Sequence, residues 1–254
     1  MGDQLDGTVS LVSGASSGIG RATARELAAR GSSVALAARR ADRLEELAAE
    51  IDGGGGRALA LEADVTNRAD AEGAVNRTVG ELGRLDILIN NAGVMLLGPI
   101  ADAPVEEWEQ MVQVNVLGLL YCAKAALPHL LEAAEREPRH TADLVNVSSV
   151  AGRLVRLGSG VYSATKHAVG AFNESLRQEV TGQHVRVSLI EPGAVATELS
   201  SHNRPQIREA IAERFGNIDR LHDGDIADAI AYIVTRPRHV AVNEILVRPT
   251  EQQQ

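Results

Sequence analysis

Lysine is almost missing from this chain: of the 25 Lys and Arg residues, only Lys124 and Lys166 are lysines. Aromatic residues make up 2% of the sequence, which argues against an aromatic-rich recognition surface. Cys122 is the single cysteine, so no intrachain disulfide can form and no Cys/His cluster has zinc spacing. No metal site is expected. Positive charge is in deficit: 25 basic against 34 acidic residues leave −9, which disfavours nucleic acid or an anionic membrane as partner. Any phosphate-bearing ligand then needs basic groups placed locally. No apolar run reaches the ~20 residues of a membrane span; the best candidate, Leu117 to Leu131, contains Lys124, Pro128 and His129. The start, Met1 to Asp6, is acidic and lacks a signal peptide's basic-then-apolar order, so a cytoplasmic protein is expected. There is no internal repeat and no linker.

What is present alternates. Thr8 to Ser13 is β-rich and breaks into Gly14-Ala15-Ser16-Ser17-Gly18-Ile19-Gly20, after which Arg21 to Arg30 has helical periodicity. Strands are expected at Ser33 to Ala38, Arg57 to Glu62, Ile87 to Ile89, Leu144 to Val147, Val185 to Ile190 and Glu244 to Val247. Helices are expected at about Asp42 to Ile51, Arg68 to Leu82, Pro104 past Asn115 to Glu135, Gly160 to Val180 and Asp225 to Thr235. Gly53 to Gly56 and Arg136 to Asp143 read as loops. Ala194 to Leu221, with one helical patch, reads as a candidate flexible lid over the substrate. The pattern predicts one α/β domain over residues 1–254, a Rossmann-like doubly wound parallel sheet of about seven strands with helices on both faces. Ligands of such sheets bind beyond the carboxyl ends of the strands, where the polar clusters of this sequence fall.

Tyr162 and Lys166 stand four apart on a predicted helix, which sets a phenol beside an ammonium on one face. A cation roughly 4 Å away at an effective dielectric of about 20 favours the phenolate by up to about 4 kcal/mol, making a proton carrier near neutrality. Tyr121 and Lys124 make a second pair, three apart, that reads as ordinary helix surface. The glycine turn lets backbone approach a pyrophosphate at a helix N-terminus. It also matches the serine-hydrolase elbow, Gly14-Ala15-Ser16-Ser17-Gly18, but lacks persuasive acid and His partners. After the second strand, where an NAD site would offer a carboxylate to the ribose, stand Arg39 and Arg40. Basic groups there suit a 2′-phosphate, so NADP(H) is the expected cofactor, with Arg39 the stronger candidate.

Ser13-Gly14 with Gly18-Ile19-Gly20, Asp64, Asn90-Asn91-Ala92-Gly93, Asn115, Ser149, Tyr162 with Lys166, and Pro192-Gly193 with Thr197 resemble, in order, the single-domain branch of the short-chain dehydrogenase/reductase family. The resemblance covers essentially the whole chain. It implies that Gly14, Ser16, Ser17, Gly18, Ile19 and Gly20 line the pyrophosphate turn, that Asp64 and Val65 meet the adenine, and that Asn91, Ala92 and Gly93 line the cofactor groove. It further implies that Pro192, Gly193, Val195 and Thr197 bind the cofactor, Thr197 through the carboxamide. Ser149 would bond the substrate oxygen and Tyr162 would exchange its proton with that oxygen. Lys166 would lower the phenol's pKa and hold the ribose, and Asn115 would hold a water in the relay. Met95 to Pro99, Ser149 to Arg153 and Asn243 to Thr250 are similar to the NADP-dependent 3-hydroxy acid and serine dehydrogenase subgroup, which includes clavulanate dehydrogenase.

Met95, Ser149, Arg153 and Leu157 are the candidate substrate contacts, with Arg153 or Arg156 available to a carboxylate. Ala164, Ala168, Ala171 and Phe172 would face a second copy in a homodimer or homotetramer. The expected function is NADPH-dependent hydride transfer to a small or medium aldehyde, ketone or 3-oxo compound. The alternatives are an NADP-binding sensor without turnover and a serine hydrolase.

Overall fold

The computed structural model describes residues 4–253; Met1 to Asp3, part of the acidic start, and Gln254 lie outside the described residues. Seven parallel strands form one sheet in the order β3-β2-β1-β4-β5-β6-β7. They are β1 Val9–Ser13, β2 Ser33–Ala38, β3 Ala58–Glu62, β4 Ile87–Asn90, β5 Ala142–Val147, β6 Val185–Pro192 and β7 Glu244–Val247. The central strands are buried on both faces, hence their continuous apolar runs.

Neighbouring residues of one strand serve opposite layers. Leu11, Leu88 and Leu144 pack on one side against α3 (Arg68–Leu82) and α5 (Leu119–Ala134) through Val75, Ala123, Ala126 and Leu130. Val12, Ile87, Ile89 and Val145 pack on the other against α1 (Gly18–Ala29), α2 (Ala41–Gly53) and α8 (Asp223–Val234), meeting Leu27, Leu47, Ile226 and Ile230. Each fully buried Leu or Ile contributes about 1.5–3 kcal/mol, so the two layers together hold the sheet. The strand order reverses between β1 and β4, and the crevice opens there.

Most expected elements stand where the pattern puts them; the differences have local causes. β5 begins at Ala142, inside the expected Arg136–Asp143 loop. Polar Asp143 is a strand residue because its carboxylate accepts hydrogen bonds from Arg186 Nε (2.7 Å) and Nη2 (2.9 Å) and from Arg139 Nη2 (2.7 Å). The long helix expected from Pro104 is three pieces: α4 (Val105–Val112), a π-helical turn at Gln113–Gly118, and α5. At that turn Gly118 lies against Val65, which leaves no room for a side chain. By length and composition the stretch Val105–Ala134 is apolar enough to span a membrane. Its Cys122, Ala123, Ala126, Leu130, Ala133 and Ala134 lie instead within the core.

The expected lid is more ordered than its sequence suggests. A 3-10 turn, Glu198–His202, precedes α7 (Pro205–Phe215), and a parallel bridge between Val195 and Leu221 ties the ends of the excursion together. Asn203 fastens it to the loop after β4, accepting from Leu97 N (2.7 Å) and donating to Met95 O (2.9 Å). On α6 (Gly160–Val180), Ala164, Ala168 and Ala171 are exposed, as an interface would need. Phe172 instead packs half-buried beside Leu119, Val169 and Leu189.

Candidate active site

The turn after β1 is shaped by contacts that only glycine permits. Gly14 (φ +68°) and Gly18 (φ +50°) adopt left-handed backbone, and a Cβ on Gly20 would come 2.3 Å from Gly14 O. Gly20 is thus a packing residue beneath the turn, not part of its surface. Ser13 Oγ accepts from the N–H groups of Asn91 (3.0 Å) and Ala92 (3.1 Å), and Asn91 Nδ2 donates to Ser13 O (2.9 Å). The two switch-point loops are thereby locked together.

Above the turn, Ser17 is the N-cap of α1 yet makes no capping bond. Its Oγ accepts from Arg40 Nη2 (2.8 Å), and Ser16 Oγ accepts from Arg40 Nη2 (2.9 Å) and Nε (3.1 Å). Ser16 therefore faces a guanidinium, which has no lone pair to take a proton, and the elbow reading fails on chemistry. Arg40 and Arg43 also pair with Glu198, whose carboxyl these hydrogen bonds pull down to about 2. Arg39 projects exposed at the cleft rim.

At the carboxyl ends of β4 and β5, a buried amide chain braces the floor: Asn90 Nδ2 donates to Asn146 Oδ1 and Asn146 Nδ2 to Asn173 Oδ1, each at 3.0 Å. Ser149 caps a short 3-10 turn, accepting from Ala151 N at 3.1 Å, while Ser148 Oγ donates to Lys166 O at 3.2 Å. Lys166 Nζ donates to Val147 O (2.9 Å) and stands 5.9 Å from the centre of the Tyr162 ring. Both side chains line the cleft although both are buried.

The electrostatics differ from the sequence expectation. Burial pushes the Tyr162 phenol up to about 12, opposed only by its hydrogen bond with Ser149, and burial pushes the Lys166 amine down to about 8. Desolvation outweighs the expected pull of the ammonium, because the amine is turned to the Val147 carbonyl. The phenol therefore holds its proton at neutral pH.

One cavity of about 890 Å³ runs from Arg39 to the lid. It brings together Gly14, Ser16, Ser17, Gly18, Ile19, Arg39, Arg40, Asp64, Val65, Asn91, Ala92, Gly93, Met95, Ser149, Leu157, Tyr162, Lys166, Pro192, Gly193, Val195 and Thr197. Three expected residues lie off it. Gly20 is beneath the turn. Asn115 is buried at the π turn, where Oδ1 accepts from Val94 N (2.8 Å) and Nδ2 donates to Val94 O (2.9 Å) and Thr165 Oγ1 (3.1 Å). Its amide positions the loop after β4 instead of facing the cleft. Arg153, expected as a substrate contact, turns instead to pair with Glu191 (2.7 Å) and Glu244, off the cavity lining.

Sequence reasoning missed others. Gln252 lines the cavity and its Oε1 accepts from Ala194 N (2.9 Å); Arg214 and Arg220 line it from the lid; Glu198 ties the lid to the arginines after β2. Only the tertiary fold brings these distant positions together, so no local pattern marked them.

A parallel doubly wound sheet with an uncapped, glycine-turned helix at its switch point and a Ser-Tyr-Lys group across the crevice defines a dinucleotide-binding oxidoreductase. The comparisons agree. Residues 8–208 match the short chain dehydrogenase family model, and the chain belongs to that family. It is 41% identical over 251 residues to glycine betaine reductase ATRR of Emericella nidulans, covering 98% of this chain but only 19% of that protein. An uncharacterized oxidoreductase of Staphylococcus saprophyticus is 36% identical over 247 residues, 96% of each chain. Among solved structures, the closed form of a serine dehydrogenase complexed with NADP+ is 35% identical, with TM-score 0.88 and 97% of each chain covered.

Proposed function

We propose that the chain is an NADPH-dependent carbonyl reductase of the 3-hydroxy acid and serine dehydrogenase type, acting on a small or medium aldehyde, ketone or 3-oxo compound. The observation that carries this reading is one continuous cavity holding Ser149, Tyr162 and Lys166 at one end and the uncapped α1 turn with Arg39 and Arg40 at the other. The residues fit the dinucleotide. The first N–H groups of α1 have no side-chain cap and suit a pyrophosphate, and Arg39 and Arg40 suit a 2′-phosphate. When bound, the reduced nicotinamide supplies hydride; the protein supplies position and a proton.

Ser149 Oγ donates to the substrate carbonyl oxygen, and Tyr162 transfers its phenolic proton to the same oxygen as it becomes an alkoxide. With its pKa at about 12, Tyr162 is present as the acid across the neutral range, and proton transfer to the far more basic alkoxide is downhill. Reduction is the direction this state serves, since alcohol oxidation needs the phenolate. Lys166, still charged below about pH 8, lies beside the phenol and stabilises the anion left behind. The chain acts in the cytoplasm as a homodimer or homotetramer through the exposed alanine face of α6, and neither nucleic acid nor membrane is a partner. A carbonyl panel scored by loss of nicotinamide absorbance tests the reading. Turnover abolished in Tyr162→Phe is expected; equal rates in wild type and variant would remove Tyr162 from the chemistry, and NADPH binding without turnover on any carbonyl would favour a sensor.

A further inference from the structure

Between Ser149 and the glycine turn, one wall of the cleft is a strip of backbone, Pro192 to Thr197, that leaves the carboxyl end of β6. At its start Pro192 O accepts from Ser149 Oγ at 3.5 Å. At its end Thr197 lies on the glycine turn, where a Cβ on Gly18 would come 3.1 Å from Thr197 Cγ2. Pro192, Gly193, Ala194, Val195 and Thr197 all line the cavity. The bonds that hold this strip come from distant parts of the chain. Gly193 N donates to Val247 O (2.7 Å), Leu221 N to Ala194 O (3.1 Å) and Ala196 N to Leu221 O (2.8 Å). The tie in the middle is a side chain: Gln252 Oε1 accepts from Ala194 N at 2.9 Å. Ala194 and Ala196 are thus fixed on either side of Val195, whose own N–H makes no hydrogen bond among the described residues.

Gln252 is delivered by the segment after β7, which turns back as its N–H donates to Pro249 O at 3.0 Å. The residue is buried, lines the cavity, and packs so closely that a Cβ on Gly193 would have no room beside its Oε1. One residue earlier, Glu251 Oε2 accepts from Asp219 N at 3.3 Å. The same short segment therefore holds both feet of the lid, Ala194 and Asp219. The sheet does not need this tie, because β6 is already paired to β7 from Leu189–Glu244 to Pro192–Val247.

We propose that Gln252 is a positioning residue for hydride transfer: through Ala194 N it sets the strip that carries Val195 and Thr197 beside the nicotinamide half of the dinucleotide. The inference rests on reading the cleft as a dinucleotide-dependent reductase site and adds what fixes one of its walls. Misplacing reacting groups by about 1 Å costs about 100-fold in rate, so a bond behind the wall bears on the chemistry in front of it. An apolar side chain of similar volume would leave the Ala194 N–H without its acceptor, and the strip would shift to find another.

Two variants test this in the full chain: Gln252→Leu removes the acceptor at similar size, and Gln252→Glu keeps it. Calorimetry compares NADP+ with 2′,5′-ADP, which lacks the nicotinamide half, and NAD+ with ADP. In Gln252→Leu, NADP+ is expected to bind about 10-fold more weakly while 2′,5′-ADP stays within about 2-fold, and Gln252→Glu should recover part of the loss. Amide hydrogen exchange without cofactor should quicken about 10-fold at Ala194 to Thr197 in Gln252→Leu alone, and the melting temperature should fall by no more than about 5 °C. With NADPH and a carbonyl, kcat should fall about 10- to 100-fold. Equal weakening of whole cofactor and fragment, no weakening of either, unchanged exchange at Ala194, or a kinetic loss that only tracks the unfolded fraction would each overturn the proposal. The readings fail separately. A wild type that binds cofactor and reduces no carbonyl sinks the reductase reading while the binding split still decides for Gln252. Preference for NAD+ sinks the NADP(H) assignment alone, since the NAD+ and ADP pair then carries the comparison.

Discussion

The two ends of the sheet use the same residue types to opposite effect. At the amino end, Asp143 is fully buried between Arg186 and Arg139, and Asp86 accepts from Arg84 Nη2 (2.6 Å) and Val9 N (2.8 Å). Arg186 gives its remaining N–H groups to the carbonyls of Val234, Arg236 and Val240. At the carboxyl end, Arg156 pairs with no carboxylate among the described residues, Arg39 stands at the rim, and Tyr162 and Lys166 are both displaced from their ordinary pKa values by burial. Charges satisfied within the fold hold strands and helices together. Those left open are available to something else, and such departures from local consistency mark a functional region.

Substitutions should keep the two ends apart, and a mixture of effects would break the contrast. The largest change is expected for Tyr162→Phe, which removes the proton and one oxygen: kcat for carbonyl reduction should fall about 100- to 10,000-fold while the melting temperature changes little. At the other end, Asp143→Ala leaves Arg186 and Arg139 buried without their anion, and unfolding titrations should show a loss of about 3–5 kcal/mol. KM and kcat for carbonyl reduction should be unaffected in whatever fraction stays folded; a shift in either would mean the two ends are coupled. Arg39→Asp should move the ratio of NADPH to NADH affinity about 10- to 100-fold toward NADH, read by cofactor fluorescence titration. An unchanged ratio would leave Arg40, already bonded to Ser16 and Ser17, as the better candidate.

The pH dependence sharpens the contrast further. The folded pKa of Lys166, about 8, lies below its unfolded value, so its burial destabilises fully below pH 8 and this penalty fades as pH rises toward the unfolded pKa of about 10.4. Tyr162 runs the other way: with a folded pKa of about 12, stability is lost as pH climbs from the unfolded pKa of about 10 through 12. Thermal melts of wild type and Lys166→Met should therefore differ most below pH 8, with the variant the more stable, and converge toward about pH 10. The smallest effect is expected for Glu198→Gln. Its ion pairs with Arg40 and Arg43 are exposed and worth about 0–1 kcal/mol, so the melting temperature should barely move and KM for NADPH should change no more than a few-fold.

Much of this was legible in the chain. Alternating strand and helix patterns gave the sheet because each strand's neighbours feed two apolar layers, a periodicity visible in residues such as Ile87, Leu88 and Ile89. Four-residue spacing put Tyr162 and Lys166 on one helical face, and the structure keeps them there. Their protonation was not legible, because desolvation depends on the whole enclosure and not on the spacing of two residues. Arg153 and Arg156 looked alike in sequence; only the positions of Glu191 and Glu244, which are distant in the chain, decide that the first is paired and the second is not. Asp143 was read as loop because a charge in a central strand is unfavourable until two arginines from elsewhere neutralise it.

The π turn at Gln113–Gly118 has a consequence for how this scaffold tolerates length change. A π turn is equivalent to one residue inserted into an α-helix, so deleting a single residue there would let the helix close regularly and swing α4 by about a third of a revolution relative to α5. Met111 would leave its packing place beside Tyr162, and the Asn115 amide would lose Val94. A one-residue deletion that would be innocuous at the exposed glycines Gly53 to Gly56 would here dismantle the wall of the cleft while leaving the sheet unaltered.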